Sequence, residues 1–343
     1  MLKRGYVIWQ ILFIKVVLYV QEGGVFLEKA SEDVLIGPYS LGDLVLIKAV
    51  SMLYPGLGRG GEVVDLPVQK DNLGFPIIFS SSFKGALKST IWYRSKDLSR
   101  LLFGSEPEDT ESYTSPIAVL DCFLLTIPAR SLVGIYAYLT SPLLLERFNE
   151  YVKLVETVGG RTSEEAENTI KKLRQILDKI LEKSKNLSRN QALSSNPKLL
   201  EAKDFNSRIV INENLYLTYQ QDENLEKLEK TLGIESGRLL VLHDDDALYA
   251  VERSLFRITR VRLERESKKV SSGPWTEEYI PRGTLFYSIL LYSKPYGKVE
   301  AKNTKASDIR SKLRSFLKET EHYLIIGGNE TIGRGIVKLI FLW

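Results

Sequence analysis

The chain offers little sulfur or imidazole chemistry. Its 343 residues include one cysteine, Cys122, and two histidines, His243 and His322. A single cysteine excludes a disulfide framework and a cysteine zinc site within one chain, and it fits a reducing cytoplasm. Two histidines leave little room for histidine-centred metal or acid–base chemistry. A catalytic site is therefore expected to use carboxylates, lysine, arginine or tyrosine, and the expected location is cytoplasmic.

The chain also lacks a strong excess of charge of either sign. Lys and Arg number 47 against 43 Asp and Glu, for a net charge of +4 at pH 7. The hydrophobic fraction of 44% is that of a folded soluble protein, and the length allows one large domain or two ordinary ones. Any partner must therefore be inferred from local clusters of charge.

No hydrophobic run is long enough for a comfortable membrane span. The most apolar stretch, residues 6–20, is short and contains Gln10 and Lys15. We expect no membrane association. The alternatives for this stretch are a strand or helix packed on the core, the product of an upstream start codon, an interaction arm, or an anchor. Residues 1–43 are accordingly set apart as an N-terminal extension.

Glycine is concentrated in a loop after the first buried-strand pattern, residues 44–51. The run from Pro55 to Gly61 contains alternating glycines, and the isolated carboxylate Asp65 follows it. Glycines let a backbone pass close to a partner and adopt positive φ without steric cost. Most loop aspartates accept backbone hydrogen bonds, and this interpretation of Asp65 stands beside a role in chemistry or in metal binding.

A serine cluster then precedes an amphipathic run. Phe83, Leu87 and Ile91 recur at helical spacing and predict a helix from Ser81 to about Lys96. A serine-capped helix start supplies free N–H groups that suit a phosphate. Lysines at such a start oppose the helix dipole unless an anion sits there.

Strand–helix–strand units lie at both ends of the chain, with irregular insertions between them. Residues 162–186 predict the clearest helix, with a capping box from Thr162 and Glu165, inside a helical insertion over about 150–200. Residues 256–263 alternate basic and apolar side chains, which fits a strand with one basic face inside a hairpin candidate of about 250–282. A solvated face balanced by Glu252, Glu264 and Glu266 is the alternative. The predicted class is α+β, and a ferredoxin-like core is the simplest such fold.

Several motifs together resemble one known family. They are Val64-Asp65-Leu-Pro after the glycine loop, Ser81-Ser-Phe-Lys-Gly-Ala-Leu-Lys88, Ile127-Pro-Ala-Arg130, Glu277-Glu-Tyr-Ile-Pro281 and Gly327-Gly-Asn-Glu-Thr-Ile-Gly-Arg-Gly335. These motifs are similar to those of the RAMP proteins of CRISPR effectors. Their order resembles that of the repeated backbone subunit of the type III-B (Cmr) RNA-targeting complex.

The resemblance implies a fold and an activity. Residues 44–343 are expected to form one RAMP domain, an RRM-like (ferredoxin-like) palm with inserted helical fingers and a β-hairpin thumb. The implied function is to bind CRISPR RNA, to stack with copies of itself and other effector subunits, and to cleave single-stranded target RNA at regular intervals. The implied cofactor is a divalent metal ion, Mg²⁺ or Mn²⁺, at Asp65.

The resemblance also implies roles for individual residues. Asp65 is the candidate catalytic residue and metal ligand, with Glu277, Tyr279 and Tyr54 as candidate assistants. Tyr54 stands where the family commonly has histidine, and Lys70 stands where it commonly has arginine. The candidate RNA-binding residues are Lys70, Ser81, Ser82, Lys84, Lys88, Arg130, Arg260, Arg262 and Arg334.

Two other function classes remain to be compared. A purely structural RNA-binding subunit of the same complex would use the same fold without the chemistry. A small-molecule enzyme with a phosphate-binding loop is disfavoured, because the glycine loop lacks the Gly-Lys-Ser/Thr ending of a P-loop.

Overall fold

The computed structural model describes residues 16–21, 24–29, 36–58, 60, 64–106, 108–109, 113–158, 164–296 and 304–342. The strands are β1 (Val16–Gln21), β2 (Gly24–Lys29), β3 (Leu41–Ala49), β4 (Ile77–Ile78), β5 (Ile117–Val119), β6 (Cys122–Ser131), β7 (Ile135–Thr140), β8 (Gln191–Ser194), β9 (Glu201–Ala202), β10 (Arg208–Ile211), β11 (Leu215–Gln221), β12 (Leu239–Leu242), β13 (Phe256–Leu263), β14 (Val270–Tyr279), β15 (Leu285–Tyr292), β16 (Tyr323–Ile325) and β17 (Ile336–Phe341). The helices are α1 (Ser80–Trp92), α2 (Lys96–Phe103), α3 (Pro142–Val158), α4 (Glu164–Ser184), α5 (Glu223–Leu232), α6 (Asp244–Ser254) and α7 (Ala306–Glu319). The predicted α+β class is confirmed.

One large sheet organises the described part of the chain. Its strands run in the order β16–β17–β3–β15–β6–β7–β12–β8–β11–β10–β9, with β4 added to β6 and β5 to β15. Within it, β17, β3, β15 and β6 are each antiparallel to their neighbours. Helices α1 and α2 connect β3 to the β5–β6 region, and α7 lies between β15 and β16.

Six of these strands close into a ring, which the sequence did not predict. The ring runs β6–β7–β12–β8–β11–β10 and returns to β6 through the single residue pair Ile211 and Ser131. It holds the short strands that follow α4. Closing the ring covers the backbone groups that an open edge strand would expose.

The apolar run over residues 117–127 predicts a strand that Pro128 breaks, and this prediction was wrong. β6 continues through Pro128 to Ser131, and Pro128 lies opposite Tyr138. The Tyr138 N–H donates to Arg238 on the other side of β7, so Pro128 occupies a position without hydrogen bonds to β7. Its missing N–H points to the side where pairing with β15 has already ended at Thr126. Proline is therefore tolerated in this strand.

The core lies on both faces of the sheet. Alternate residues of β3 face opposite sides: Val45 and Ile47 pack with α1 and α7 residues, whereas Leu44 and Leu46 pack with residues of α3 and α4. This alternation explains why β3 reads as a continuous apolar run, since both of its faces are buried.

The first helix is shorter and capped differently than predicted. α1 begins after Phe79, and the Ser80 N–H donates to Asp121 Oδ1 at 2.7 Å. It ends at Trp92, because Ser95 starts α2 by accepting from the Leu98 N–H at 3.3 Å. The start of α1 thus already contains a carboxylate of this chain.

The other predicted helices largely agree with the structure. The sequence predicts a short helix over residues 223–232 with Gly233 as its C-terminal cap. α5 confirms it, since Gly233 has a left-handed φ of 66°. α4 covers most of the long predicted helix, but its proposed capping box at Thr162 and Glu165 lies outside the side chains that the structure describes.

The predicted basic hairpin is present as β13 and β14. These two strands pair only with each other among the named strands, from Phe256 and Tyr279 at the base to Leu263 and Val270 near the tip. In the N-terminal extension, β1 and β2 form a separate two-stranded sheet. None of the helices in the described ranges is long and apolar enough to cross a bilayer.

Candidate active site and nucleic-acid interface

Three segments that are far apart in the sequence meet beside the base of the hairpin. They are the glycine loop after β3, the end of β14, and the second glycine loop, residues 327–335. Backbone bridges join Leu53 to Ile280, Leu66 to Glu277, and Tyr54 to Gly327. Position 327 requires glycine, since its φ is +89° and a Cβ there would lie 2.4 Å from the Tyr54 carbonyl oxygen. The two glycine loops therefore pack directly against each other.

Asp65 is exposed beside these bridges, and among the described residues its carboxylate accepts from one backbone donor. Its Oδ2 accepts from the Thr276 N–H at 2.7 Å. The neighbouring Leu66 N–H donates to the Thr276 carbonyl at 3.1 Å, and the Glu278 N–H donates to the Leu66 carbonyl at 3.0 Å. The hairpin base thus fixes the direction of a carboxylate that remains open to solvent.

Glu277 is the centre of a buried polar network. Its side chain is 3% exposed. Arg260 Nη1 donates to both carboxylate oxygens at 2.9 and 3.1 Å, and Trp275 Nε1 donates to Oε1 at 2.8 Å. The Tyr279 hydroxyl donates to Oε2. Such a fully partnered carboxylate orients its neighbours and is not available as a free base.

Tyr279 and Tyr54 stack beside this network. Their ring centroids are 5.6 Å apart, and Asn329 Nδ2 donates to the Tyr279 hydroxyl at 3.0 Å. The Arg334 guanidinium lies 5.0 Å from the centre of the Tyr279 ring. A Cβ at Gly56 would lie 2.5 Å from the Tyr54 ring, so glycine at 56 leaves the space that this ring occupies.

The network shifts the ionisation of its members. Burial disfavours the charged form of Glu277, but the hydrogen bonds from Tyr279, Trp275 and Arg260 outweigh it and lower the pKa of this carboxyl. Burial, followed by the charge of Glu277, raises the pKa of both Tyr279 and Tyr54. At neutral pH the site therefore holds an ionised Glu277 beside two neutral phenols.

The sequence analysis missed the role of Glu278. It is 1% exposed and accepts from Arg257 Nη2 at 3.0 Å, with Lys70 Nζ 3.8 Å away. Adjacent residues of a strand point to opposite faces of the sheet. The consecutive pair Glu277-Glu278 opposite a basic strand therefore indicates two separate ion-pair networks, one on each face. Lys70 is engaged more closely by Glu252, at 2.6 Å.

The predicted RNA-binding residues of α1 form one solvent-facing stripe. Ser81 and Gly85 are exposed, and Ser82, Lys84 and Lys88 are half-buried. Burial, and then the charge of Lys88, lowers the pKa of Lys84. A Cβ at Gly85 would meet nothing within 4 Å. Glycine in a helix interior costs about 1 kcal/mol of stability relative to alanine. No contact with the described residues requires glycine at position 85.

The predicted arginines are in different places. Arg260 and Arg334 join the network around Glu277 and Tyr279. Arg262 is exposed further along the hairpin. Arg130 lies at the other end of β6, where it forms an exposed ion pair with Glu213. The structure thus brings Asp65, Tyr54, Glu277, Tyr279, Arg260 and Arg334 together, and it leaves Arg130 and the α1 stripe outside this cluster.

The described residues do not form a metal site by themselves. No group of three or more His, Cys, Asp or Glu side chains in the described ranges is arranged to hold a metal ion. Asp65 supplies one exposed carboxylate, and Glu277 already accepts from Arg260, Trp275 and Tyr279. A divalent ion here would need most of its ligands from another molecule.

Comparison with known proteins defines the class. Residues 46–338 match the RAMP superfamily. The chain is 32% identical over 301 residues to the Pyrococcus furiosus "CRISPR system Cmr endoribonuclease Cmr4", covering 86% of this chain and 94% of the relative. It is 31% identical over 327 residues to the Saccharolobus solfataricus "CRISPR system CMR subunit Cmr4", covering 86% and 95%.

Solved structures agree with these sequences. A chain of a type III-B Cmr-beta complex bound to cognate target RNA superposes with a TM-score of 0.69 at 29% identity, covering 89% of this chain and 98% of that chain. Oligomeric Cmr4 from Pyrococcus furiosus gives a TM-score of 0.58 at 25% identity, covering 88% and 97%.

The chain therefore belongs to the RAMP superfamily. Within that superfamily, both curated relatives above 30% identity are Cmr4 subunits, and they are covered almost end to end. The chain is thus a member of the type III-B Cmr4 family, and the resemblance seen in the sequence is confirmed.

Proposed function

We propose that this chain is the CRISPR RNA-binding backbone subunit of a type III-B effector and that it cleaves target RNA at regular intervals. The observation that carries the proposal is Asp65, an exposed carboxylate on a glycine loop, oriented by the Thr276 N–H at the hairpin base. The relative named an endoribonuclease supports cleavage, and the neighbour bound to target RNA supports the RNA partner.

The proposed architecture is a ferredoxin-like palm with helical fingers and a hairpin thumb. Its support is the strand order β17–β3–β15–β6, which in chain order is fourth, first, third, second, with every neighbour antiparallel. Helices cross between the first and second and between the third and fourth of these strands. In the proposal β13 and β14 are the thumb, and α3, α4 and the strand ring belong to the fingers.

In the proposed chemistry the thumb displaces a base of the guide–target duplex, so that a ribose 2′-hydroxyl can align with its adjacent phosphate. Asp65 then orients or deprotonates that hydroxyl, and its oxygen attacks the phosphorus in line. The bond from phosphorus to the 5′-oxygen breaks, which gives a 2′,3′-cyclic phosphate and a 5′-hydroxyl that takes up a proton from water. The network around Glu277 holds Tyr279 and Arg260 rigidly beside the reacting backbone. Tyr54, which is neutral, acts as a hydrogen-bond donor, whereas the hydroxyl proton of Tyr279 is already donated to Glu277.

A requirement for Mg²⁺ or Mn²⁺ is a separate proposal, because the described residues do not form a metal site by themselves. Cleavage by the assembled complex in EDTA, followed by titration of each ion, tests it. Loss in EDTA and recovery with either ion supports a metal held mainly by RNA. Full activity in EDTA overturns the proposed metal requirement and leaves the endonuclease proposal intact.

The proposed partners are CRISPR RNA, single-stranded target RNA, further copies of this chain and other effector subunits, in the cytoplasm. The complexes of the structural neighbours support these partners. The guide is proposed to follow α1, where Ser81, Lys84 and Lys88 face solvent around the open Gly85 position.

A non-catalytic structural subunit is the second candidate, and the lack of a metal cluster in the described ranges favours it. The test is a target-RNA ladder produced by the assembled complex, with Asp65→Asn against the exposed control Asp204→Asn. We expect regular cuts from wild type and the control, and none from Asp65→Asn complexes that assemble normally. If Asp65→Asn complexes cut as fast as wild type, Asp65 is not the catalytic residue.

A further inference from the structure

A row of lysine and tyrosine side chains crosses the sheet away from Asp65. In the strand register, Tyr323 of β16 lies opposite Lys338 of β17, and Lys338 lies opposite Lys48 of β3. Directly opposed residues of antiparallel strands share a face, and Lys338 Nζ lies 5.1 Å from the Tyr323 ring centre. Lys48 is on the same face as Leu44 and Leu46, just past the part that α3 covers.

The two lysines form a like-charge pair without neutralisation. Opposed residues have Cβ atoms about 5 Å apart, and like charges in this arrangement are destabilising. In the described part of the chain, neither Lys48 nor Lys338 has a carboxylate within 4 Å. Lys70, Lys88, Arg130 and Arg260, by contrast, each have an acidic partner. Among the described residues, these two half-buried lysines are therefore open to an external anion.

The charge of Lys338 acts on the neighbouring His322. The pKa of His322, which precedes Tyr323, is lowered first by burial and then by Lys338, Lys318 and Arg314. The charged groups facing His322 are thus cations, so the local potential is positive.

A cavity continues the row at Lys48. It has a volume of about 400 Å³ and is lined by Lys48, Arg282, Tyr136, Tyr138, Pro128 and Gly283. The two tyrosine rings meet edge to face, 5.7 Å apart. Arg282 is exposed and also lacks a carboxylate within 4 Å among the described residues. A Cβ at Gly283 would lie 3.1 Å from the Tyr138 hydroxyl, so the backbone forms one wall of the cavity.

Two aromatic rings and unpaired cations around a half-buried cavity match a nucleotide, which has a planar base and an anionic backbone. An isolated phosphate would not use the rings, and an aliphatic ligand would not use the cations. Tyr323 at the other end of the row offers a second stacking surface five strand spacings away, from β7 across to β16, or roughly 24 Å. That length suits several linked nucleotides of an unpaired strand.

We propose that the row Tyr323–Lys338–Lys48 and the adjoining cavity bind a short segment of single-stranded RNA, with one nucleotide seated against Tyr138. The proposal deepens the proposed function and rests on it, since it adds a second RNA contact to a chain proposed to bind RNA. This contact uses side chains other than those of the cleavage site, because none of the described residues that line the cavity belongs to the network around Asp65, Glu277 and Tyr279.

Charge-matched variants test the row. Single-stranded RNA binding is measured by fluorescence anisotropy over a range of salt for wild type, Lys48→Gln/Lys338→Gln, and the control Lys172→Gln/Lys179→Gln on the exposed face of α4. Each phosphate contact on a single strand contributes about 0.7 to the salt slope, so we expect the first variant to lose about 1.4. Its affinity should fall on the order of tenfold, more than that of the control. Equal slopes for the two variants overturn the proposal.

Crosslinking tests the cavity directly. RNA containing 4-thiouridine is irradiated on the wild-type chain, and tryptic peptides are analysed. We expect adducts on peptide 131–147, which carries Tyr136 and Tyr138, and their loss in Tyr138→Leu. Adducts confined to residues 270–279 of peptide 270–282, with none on 131–147, overturn this inference and leave the proposed function intact. A wild-type chain that binds no RNA overturns both.

Free nucleotides are the other source of the same chemistry. Calorimetry with UMP and AMP separates the two sources. Binding of either mononucleotide as tightly as the RNA strand identifies a free-nucleotide pocket and overturns the strand proposal. Binding much weaker than that of the strand supports it.

Discussion

Asp65 and Glu277 are neighbouring carboxylates that the fold holds in opposite ways. Glu277 is buried and accepts from Arg260, Trp275 and Tyr279, whereas Asp65 is exposed and accepts one backbone N–H from Thr276. The difference separates structure from chemistry within one site. The partnered carboxylate fixes geometry, and the open one remains free to meet a substrate.

Replacing Asp65 should give the largest functional effect. We expect Asp65→Asn to reduce target-RNA cleavage by about 10³-fold, the range typical for loss of a positioned acid–base group. Its thermal unfolding should stay close to wild type, because an exposed side chain is changed and the Thr276 bond can persist. Cleavage kinetics and calorimetry on one preparation measure both. A large loss of stability would contradict the division between the two carboxylates.

Glu277→Gln should show the reverse pattern. Removing the charge leaves the Arg260 guanidinium without its partner and weakens three hydrogen bonds in a buried network. We expect the free energy of unfolding to fall by about 2 kcal/mol, and cleavage to fall less than in Asp65→Asn. Urea denaturation measures the first quantity. Glu252→Gln, a half-exposed ion-pair control, should change stability by under about 1 kcal/mol.

The pH dependence of stability should reveal the same network. The pKa of Glu277 is lowered in the folded chain from an ordinary value of 4.5. Its stabilising contribution is therefore complete above pH 4.5 and is lost as the pH falls through the lower folded pKa. The difference in unfolding free energy between wild type and Glu277→Gln should be constant near neutrality and shrink in acid. A difference that grows in acid would show the opposite shift.

Tyr279→Phe should have a smaller effect. It removes the hydroxyl that donates to Glu277 and accepts from Asn329, and it keeps the ring contact with Tyr54. We expect a loss of about 1 kcal/mol, measured by urea denaturation. A loss as large as that of Glu277→Gln would mean that the hydroxyl, and not the carboxylate, organises the network.

The smallest effect is expected at Arg130. Its pair with Glu213 is exposed on both sides. We expect Arg130→Gln to change the free energy of unfolding by less than about 0.5 kcal/mol, because solvent screens such pairs. A larger loss in the same denaturation assay would show that burial is not what distinguishes the strong ion pairs of this protein from the weak ones.

Local sequence patterns predicted the helices and strands that have a clear periodicity or a recognisable cap. Helical spacing identified α1 and α7, Gly233 ended α5, and the basic alternation identified the hairpin of β13 and β14. The six-strand ring could not be predicted, because it closes through one residue pair, Ile211 and Ser131, between short strands. Strands of four residues carry too little periodicity to be distinguished from loops.

The candidate site was predicted in part. The resemblance indicated Asp65, Tyr54, Glu277 and Tyr279, and the structure brings these four together. It did not indicate Glu278 or Asn329, whose partners come from other segments. Their roles depend on tertiary contacts and not on local spacing.

The bond between the Thr276 N–H and Asp65 also has a consequence for synthesis. The two residues are separated by 211 positions. At the usual speed of translation, a ribosome needs roughly 10–40 s to travel from one to the other. During that interval the growing chain carries the glycine loop without the strand that orients its carboxylate. Until Thr276 has been made, a nascent chain therefore cannot present the oriented carboxylate to the messenger RNA from which it is being translated.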